Sequence, residues 1–388
     1  MRLQATRGTG GLAVAVALGA AVAAAPSFRA MHQPDSLRPG PGVTGTRMLS
    51  AYLPALAGTA GDTPVFELAG ADPGGAVLVL GGTHGDEPAG YLAAIVLVER
   101  ARIHRGRLLV IPRANASGFT HNIAQEGHPQ RFMVKTPGGP RSFTYGARAS
   151  NPVHQWPDPQ VTTLAGSGQK LAGIETRNLN RAYPGRAEGT LTEQIAFAIT
   201  SLIRQERIDL AIDLHEAAPE YPVVNTIVAH ERAADLAALA NLNLQAAGIV
   251  IGLEGSPANL HGLSHREWGD ATATLAVLVE TTNPAQGRLR GRTDSRLVTS
   301  GQDRFYERAA AENRLSVPFS IAGWPLEVRV ARHLATIAEL VAGIADGRAD
   351  RAVELAGVPA YEEMVAQGLG AFLAESTAPA EARGERFR

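Results

Sequence analysis

Cysteine is absent from all 388 residues of the chain. Without thiols, the chain can form no disulfide, no thiolate metal site and no cysteine nucleophile. A metal ion would therefore have to be held by histidine, aspartate and glutamate side chains. The serine hydrolase motif G-x-S-x-G is also missing near the predicted strand ends, which argues against a serine nucleophile.

An excess of charge of either sign is lacking as well. The 36 lysine and arginine residues nearly balance the 37 aspartate and glutamate residues, which gives a formal net charge of −1. A charge of this size produces no bulk field that would draw the chain to nucleic acid or to an anionic membrane. We therefore expect no nucleic-acid partner.

The longest apolar run of the chain lies at the amino terminus. Arg2 and Arg7 precede an uncharged segment, 10–25, that ends in three alanines before Pro26. This run is shorter than the about 20 residues that span a bilayer, so residues 1–25 are predicted to be a cleavable signal peptide. The mature protein is then expected to be exported, periplasmic or secreted, and without membrane contact. A retained segment would instead tether it to the membrane.

The remaining chain divides into three parts. Residues 26–62 are rich in proline, glycine and alanine and are predicted to form a linker. Residues 63–375 are long enough to bury a large core and are predicted to form one folded domain. The polar, alanine-rich residues 376–388 are predicted to be a frayed tail.

Apolar strands alternate with helical patterns along this domain. A strand-length apolar run at 76–80 is followed by a helical pattern over 88–103 and a second apolar run at 107–112. Such a strand, helix, strand unit is typical of a parallel crossover. Further buried strands are predicted at 208–214 and 273–279. The pattern therefore predicts an α/β fold.

Two other regions do not show this alternation of strands and helices. Residues 119–173 contain six prolines and show no sustained period, so we predict a long loop that forms a wall of the active site. Beyond residue 284 the pattern is helical, with helices predicted over 302–314, 326–344 and 361–375.

The turn over residues 81–90 places two metal-capable side chains, His84 and Glu87, three residues apart between a strand and a helix. Pro88 suits the first turn of that helix. Zinc accepts imidazole nitrogen and carboxylate oxygen together, and catalytic zinc sites use three protein ligands with a fourth position for water. The alternative is a loop histidine beside a carboxylate that stabilises a helix amino terminus.

A third ligand is offered by His215, which ends a predicted buried strand. Asp213 lies two residues earlier on the same face of this strand and could hold the outer nitrogen of a histidine. Glu216 competes with His215 as a ligand only if the backbone turns sharply. The alternative is a solvated strand end that carries a carboxylate and a histidine.

A second buried strand delivers Glu280 at its carboxyl end. An ionised carboxylate in this position loses solvation unless something compensates it, and a metal-bound water would do so. A carboxylate beside such a water can take its proton and pass it to a leaving amine. The alternative is that Glu280 stabilises the start of the next helix.

The segment 177–181 supplies a polar cluster, Arg-Asn-Leu-Asn-Arg. A guanidinium beside an amide, as in Asn180 and Arg181, suits bidentate recognition of a substrate carboxylate. Arg177 is a candidate for stabilising a developing oxyanion. The alternative for both arginines is a solvated loop charge.

Five motifs in this order resemble the zinc carboxypeptidase superfamily, and most of all its succinylglutamate desuccinylase and aspartoacylase branch. The motifs are G-G-T-H-G-D-E-P-A-G, I-P-R-A-N-A-S-G, R-N-L-N-R-A-Y-P-G, D-L-H-E and L-V-E-T-T-N-P. Together they cover residues 76–284. The resemblance implies a mixed, mostly parallel sheet with helices on both faces, that is, an α/β/α sandwich, and makes 63–375 a catalytic domain.

The resemblance also implies one zinc ion per chain. The residues it assigns are His84, Glu87 and His215 as zinc ligands, Glu280 as general base and acid, and Asn180 and Arg181 as the carboxylate site. The family's separate oxyanion arginine has no counterpart at a matching spacing, so Arg177 and Arg148 are both candidates.

These features predict a zinc-dependent hydrolase that cleaves an amide next to a free carboxylate. The substrate class would be a small peptide or an N-acyl amino acid, and the predicted export makes a cell-wall peptide one candidate. A non-catalytic zinc-binding or peptide-binding protein on the same fold is the alternative. Glu280 argues against it, since binding zinc requires no base.

Overall fold

A mixed eight-stranded sheet organises the computed structural model, which describes residues 7–32, 35–123, 128–164, 166–346 and 348–374. The predicted tail at 376–388 lies outside these residues. The strands are β1 (Gly45–Met48), β2 (Pro64–Ala69), β3 (Asp72–Leu80), β4 (Arg102–Ile103), β5 (Arg105–Ile111), β6 (Arg131–Thr136), β7 (Gly139–Thr144), β8 (Val161–Thr163), β9 (Lys170–Ala172), β10 (Leu210–Ala217), β11 (Thr226–Ala229), β12 (Gly252–Gly255), β13 (Leu275–Thr282) and β14 (Leu355–Ala356). The helices are α1 (Arg7–His32), α2 (Pro88–Arg100), α3 (Leu191–Gln205), α4 (Ala234–Ala246), α5 (Ser264–Ala271), α6 (Ser295–Ser300), α7 (Arg304–Ala311), α8 (Leu326–Gly343) and α9 (Tyr361–Gln367).

The strand order in the sheet is β1-β2-β5-β3-β10-β13-β11-β12. Strands β5, β3, β10 and β13 run parallel to one another, and β12 is parallel to β11. The remaining neighbours, β1 with β2, β2 with β5 and β11 with β13, are antiparallel. The predicted fold class, a mixed and mostly parallel α/β sheet, is confirmed.

The central strands are buried on both faces, which explains their unbroken apolar runs. In β3, Val77 and Val79 belong to a core with α2, α4 and α8, whereas Leu78 and Leu80 belong to a core with α3 and α5. Because side chains alternate along a strand, each apolar run serves two cores. Helices therefore cover both faces of the sheet, as predicted.

Helix α2 forms the predicted crossover between β3 and β5. Pro88 stands at its first position, where a missing backbone N–H costs no helical hydrogen bond. The helix is buried from Pro88 to Glu99 and ends at Arg100, three residues before the predicted end at 103. The reason is that Arg102–Ile103 pairs with Leu355–Ala356 near the carboxyl end of the described chain, a contact invisible to local periodicity.

The predicted linker at 26–62 is wrong from residue 35 onward. Residues Gly45–Met48 form β1, the edge strand of the sheet. Asp35 is buried, forms ion pairs with Arg113 and Arg131, and accepts a hydrogen bond from the backbone N–H of Thr144 at 3.0 Å. These partners lie far along the chain, so composition alone does not reveal that this segment packs against the domain.

The predicted long loop at 119–173 contains two short hairpins. The first pairs β6 with β7, and the second pairs β8 with β9. In β6, Phe132 and Val134 are buried while Met133 is half exposed, which is the alternation of a strand with one covered face. The same alternation of apolar and polar residues is present in the sequence, but it extends over only a few residues.

The helices predicted after residue 284 are present with earlier ends. Helix α7 ends at Ala311, α8 at Gly343 and α9 at Gln367. Among the described residues, no helix combines the length and hydrophobicity needed to cross a membrane; this includes α1, which overlaps the predicted signal segment.

Asp35→Ala tests whether the segment before β1 is part of the folded domain. The substitution leaves the buried Arg113 without its carboxylate, so we expect the free energy of unfolding to fall by about 3 to 5 kcal/mol. The matched control Asp72→Ala removes an exposed carboxylate of β3 and should change it by less than about 0.5 kcal/mol. Denaturant unfolding that gives equal values for both variants would restore the linker prediction.

Candidate metal centre and active site

The turn between β3 and α2 is held close to the sheet by glycine. Gly82 has φ of 67°, and a Cβ there would lie 2.9 Å from the carbonyl oxygen of Pro112. At Gly90 a Cβ would lie 2.5 Å from the carbonyl oxygen of Leu214, so α2 approaches the end of β10 closely. A larger residue at position 82 would move the turn away from the segment that follows β5, and one at position 90 would move α2 away from β10.

His84, Glu87 and His215 converge at this end of the sheet. The Nδ1 atom of His84 lies 2.7 Å from one carboxylate oxygen of Glu87, and the Nδ1 atom of His215 lies 3.0 Å from the other. All three side chains are buried, and one potential ligand atom from each lies within 4.8 Å of the other two. The structure thus brings together the three predicted ligands.

The outer nitrogen of each imidazole has a defined partner. The Nε2 atom of His84 lies 2.8 Å from Oδ1 of Asn178, an amide oxygen that accepts a hydrogen bond, so Nε2 carries the proton and Nδ1 keeps its lone pair. The Nε2 atom of His215 lies 2.9 Å from a carboxylate oxygen of Asp213, as the sequence predicted. Two imidazoles held in this way around one carboxylate form a donor set that suits zinc.

The charges in this cluster depend on one another. Burial raises the pKa of Glu87, but the two histidines outweigh it and hold that pKa well below its usual range. Burial lowers the pKa of His215, but Asp213 and Glu87 outweigh this effect and hold it well above its usual range. For His84, burial and the charge of Arg148 lower the pKa to about 4. Glu87 is therefore the fixed anion of the cluster.

Glu280 lies beside His215, because the two residues are register partners on the parallel strands β13 and β10. Its Oε2 atom is buried and has no hydrogen-bond partner among the described residues. Burial raises the pKa of Glu280 to about 8, against the opposing effect of His215. A carboxyl group with such a pKa can both take up and release a proton near neutral pH.

The predicted carboxylate site lies on the same pocket. Asn180 is buried, and its side-chain oxygen accepts a hydrogen bond from the backbone N–H of Ser264 at 2.8 Å. The guanidinium of Arg181 donates to the carbonyl oxygen of Asn180 at 2.7 Å and lies 3.4 Å from a carboxylate oxygen of Glu175. Asn180 and Arg181 both line the pocket.

Arg177 does not reach the pocket, which corrects its predicted role. Its guanidinium donates to both carboxylate oxygens of Asp158, at 3.0 and 3.1 Å, and to the carbonyl oxygen of Ser150. Arg148 lines the pocket instead, with one guanidinium nitrogen 3.4 Å from Nδ1 of His84. Of the two candidates, only Arg148 is therefore placed to meet a substrate.

The side chain of Glu216 points away from the cluster of His84, Glu87 and His215. Successive residues of a strand point to opposite faces, so Glu216 lies on the other side of β10 from Asp213 and His215. It forms a fully buried ion pair with Arg329 at 2.8 Å and accepts a hydrogen bond from the backbone N–H of Ala89 at 2.9 Å. Strand alternation alone predicts the orientation of Glu216. Its partner Arg329 lies 113 residues further along the chain, so no local sequence pattern indicates this ion pair.

A second group of metal-capable side chains, His230, Glu231 and Asp270, occurs elsewhere. The guanidinium of Arg266 lies among them, 2.8 Å from Glu231 and 2.5 Å from Asp270. Because a cation already neutralises these carboxylates, we interpret this group as an ion-pair cluster.

The pocket over the first cluster has a volume of about 410 Å³. Its lining includes the charged residues described above. The other lining residues are mostly apolar and include Ala217, Tyr221, Pro222, Val223, Val228, Pro257, Leu260, Leu263 and Leu278, with Glu254 among them. The site therefore combines a polar reaction centre with an apolar wall.

A part of the chain that contains site residues matches a protein-family model. Residues 167–288 match the model of the succinylglutamate desuccinylase/aspartoacylase catalytic domain. This stretch is similar to that catalytic domain. It contains Asn180, Arg181, His215 and Glu280, so the resemblance drawn from the motifs is confirmed over this desuccinylase/aspartoacylase-like segment. No curated protein matches the chain.

Solved structures are similar at low identity. A metallo-carboxypeptidase from Burkholderia cenocepacia has 13% identity and a TM-score of 0.47, covering 83% of this chain and 68% of that one. The apo cell shape determinant protein Csd4 from Helicobacter pylori has 13% identity and a TM-score of 0.45, covering 79% and 59%. A succinylglutamate desuccinylase/aspartoacylase from Rhodobacter sphaeroides has 20% identity and a TM-score of 0.36, covering 56% and 51%. The chain thus spans about half the length of this last protein.

Proposed function

We propose that the protein is a zinc-dependent hydrolase that cleaves an amide next to a free carboxylate, in a small peptide or an N-acyl amino acid. The observation that carries this proposal is the convergence of His84, Glu87 and His215 beside Glu280 in one pocket. Three ligands leave one position of a tetrahedral zinc site open, which is the arrangement of catalytic sites. Glu280 adds a base that a purely structural site would not need.

The zinc ligands in this proposal are Nδ1 of His84, Nδ1 of His215 and the carboxylate of Glu87. When bound there, zinc would lower the pKa of a water molecule towards about 7 and polarise a carbonyl group. Asn178 and Asp213 hold the outer ring nitrogens, so both imidazoles present Nδ1 without reorientation.

Glu280 acts as the proton carrier. In its ionised form it takes a proton from the attacking water, and in its protonated form it gives this proton to the leaving amine. The buried position that raises its pKa to about 8 also makes the neutral form accessible. One side chain can therefore serve as base and then as acid in a single turnover.

Two arginines bind the substrate and stabilise the charge that develops on it. Arg148 lies beside the ligand cluster, where it stabilises negative charge that develops on the carbonyl oxygen. Arg181, supported by Asn180, binds the substrate carboxylate with its planar fork of donors.

The first test concerns the metal. We expect the purified protein to bind about one zinc per chain, and His84→Ala and His215→Ala to bind close to none, because two ligands hold zinc weakly. The matched control His104→Ala changes an exposed histidine and should keep wild-type zinc content. Elemental analysis together with circular dichroism checks this. Full zinc content in a folded His84→Ala or His215→Ala variant would remove that residue from the site.

The second test concerns catalysis. Glu280→Gln keeps the size of the side chain but cannot accept a proton, so kcat should fall by at least about 100-fold on a substrate chosen from a screen of N-acyl amino acids and small peptides. Zinc content should be retained. The matched control Glu362→Gln changes an exposed carboxylate on α9 and should keep the wild-type rate. A Glu280→Gln variant of near-normal kcat would contradict the assigned role.

We also propose that the protein is exported and that its substrate is derived from the cell wall, on the basis of the amino-terminal sequence. Intact-mass measurement on protein from the native host should find a mature chain that begins between about residues 24 and 30, since small residues end the apolar segment. A protein recovered from the cytoplasm with Met1 retained would contradict export.

A further inference from the structure

The apolar wall of the active-site pocket continues away from the reaction centre in a defined direction across the sheet. In the register of the strands, Asp213 of β10 is paired with Leu278 of β13, Leu278 with Val228 of β11, and Val228 with Glu254 of β12. Register partners on neighbouring strands share a face of the sheet. These side chains therefore form one row that begins at the metal cluster and ends at the edge strand.

The composition of this row changes along its length. Leu278 and Val228 are buried and line the pocket, so the row beside the reaction centre is apolar. Glu254 also lines the pocket but is exposed and ends the row with a carboxylate. Any substrate group that extends along this row would pass over aliphatic side chains and then meet a negative charge.

Among the described residues, Glu254 has no cationic partner. The ion pairs and hydrogen bonds of the described part of the chain do not include its carboxylate, in contrast to the pocket residues Glu87 and Glu216. The pocket's two arginines, Arg148 and Arg181, are paired with Glu175 instead. The carboxylate of Glu254 is therefore available to a ligand.

The distance along the row limits the length of the ligand. Neighbouring strands lie about 4.8 Å apart, so β12, which carries Glu254, lies about 10 Å from β13, which carries Glu280. A small acyl or side-chain group at the reaction centre would not cover this distance. A flexible four-carbon stem that ends in an ammonium group, as in lysine, would cover it together with the side chain of Glu254.

We propose that the substrate carries a linear aliphatic group with a positively charged end, whose stem packs on Leu278 and Val228 and whose cation is bound by Glu254. This inference rests on the proposed function, because it names the substrate class of the same pocket. Glu254 is then a residue that determines specificity, and it acts at the far end of the pocket from the metal cluster. An anionic end would be repelled by Glu254.

The test compares substrates that differ only in the terminal charge. One pair is Nα-acetyl-lysine and Nα-acetyl-norleucine, which places the cation on the leaving amino acid. The second pair is 6-aminohexanoyl-norleucine and hexanoyl-norleucine, which places it on the acyl group. For each pair, kcat/KM is measured with the zinc-loaded protein. Kd is measured by calorimetry with the same four compounds in the zinc-loaded Glu280→Gln background, in which cleavage is slow.

We expect the charged member of one pair to be favoured about 5-fold, in kcat/KM and in Kd, which is the upper range for an ion pair with an exposed carboxylate. Glu254→Gln should reduce this ratio to near one, and Glu254→Lys should invert it. The matched control Glu362→Gln should keep the wild-type ratio. The preference should also weaken as salt is raised, since the ion pair lies at an open end of the pocket.

The outcomes separate the two proposals. A wild-type protein that shows no charge preference in either pair, or a preference that persists in Glu254→Gln, overturns the role of Glu254 even if amides are cleaved. If none of the four compounds is cleaved, the hydrolase proposal loses support, and the Kd ratios still decide whether Glu254 binds a cationic end.

Discussion

The buried carboxylate of Glu87 is the interaction on which the rest of the site depends. An ionised carboxylate inside a protein requires compensation. Glu87 receives it from the ring of His215, whose Nδ1 lies 3.0 Å away, from the backbone N–H of Glu216 at 3.1 Å and from the side-chain amide of Gln286 at 2.9 Å. Glu87 itself lies in the β3–α2 turn, and these partners come from β10 and from the segment after β13. Satisfying one charge therefore fixes three parts of the chain relative to one another.

The side chains on the two faces of β10 have different roles around the carboxylate of Glu87. Asp213 and His215 face the core of α3 and α5 and shape the reaction centre, whereas Glu216 faces the core of α2 and α8. There, Glu216 binds the first turn of α2 and the guanidinium of Arg329. Because α2 begins directly after Glu87, this buried pair anchors the helix that carries one ligand to the strand that carries another.

Sequence reasoning was correct about geometry that depends on local patterns and on strand ends. The β3–α2–β5 unit was predictable because its apolar runs are long, and His84, Glu87, His215 and Glu280 were predictable because parallel strands deliver their carboxyl-terminal residues to one edge. It failed where position depends on distant partners. Arg177 is drawn to Asp158 and Ser150, away from the pocket, and only the folded chain shows this. The packing of the segment before β1 was hidden for the same reason.

Anomalous diffraction at the zinc absorption edge, from crystals of the zinc-loaded protein, tests directly whether His84, Glu87 and His215 bind the metal. We expect one dominant peak bonded to Nδ1 of His84, Nδ1 of His215 and the carboxylate of Glu87, at about 2.0 to 2.2 Å from each. A dominant peak at His230 and Asp270, with none beside Glu87, would contradict this assignment of the zinc ligands.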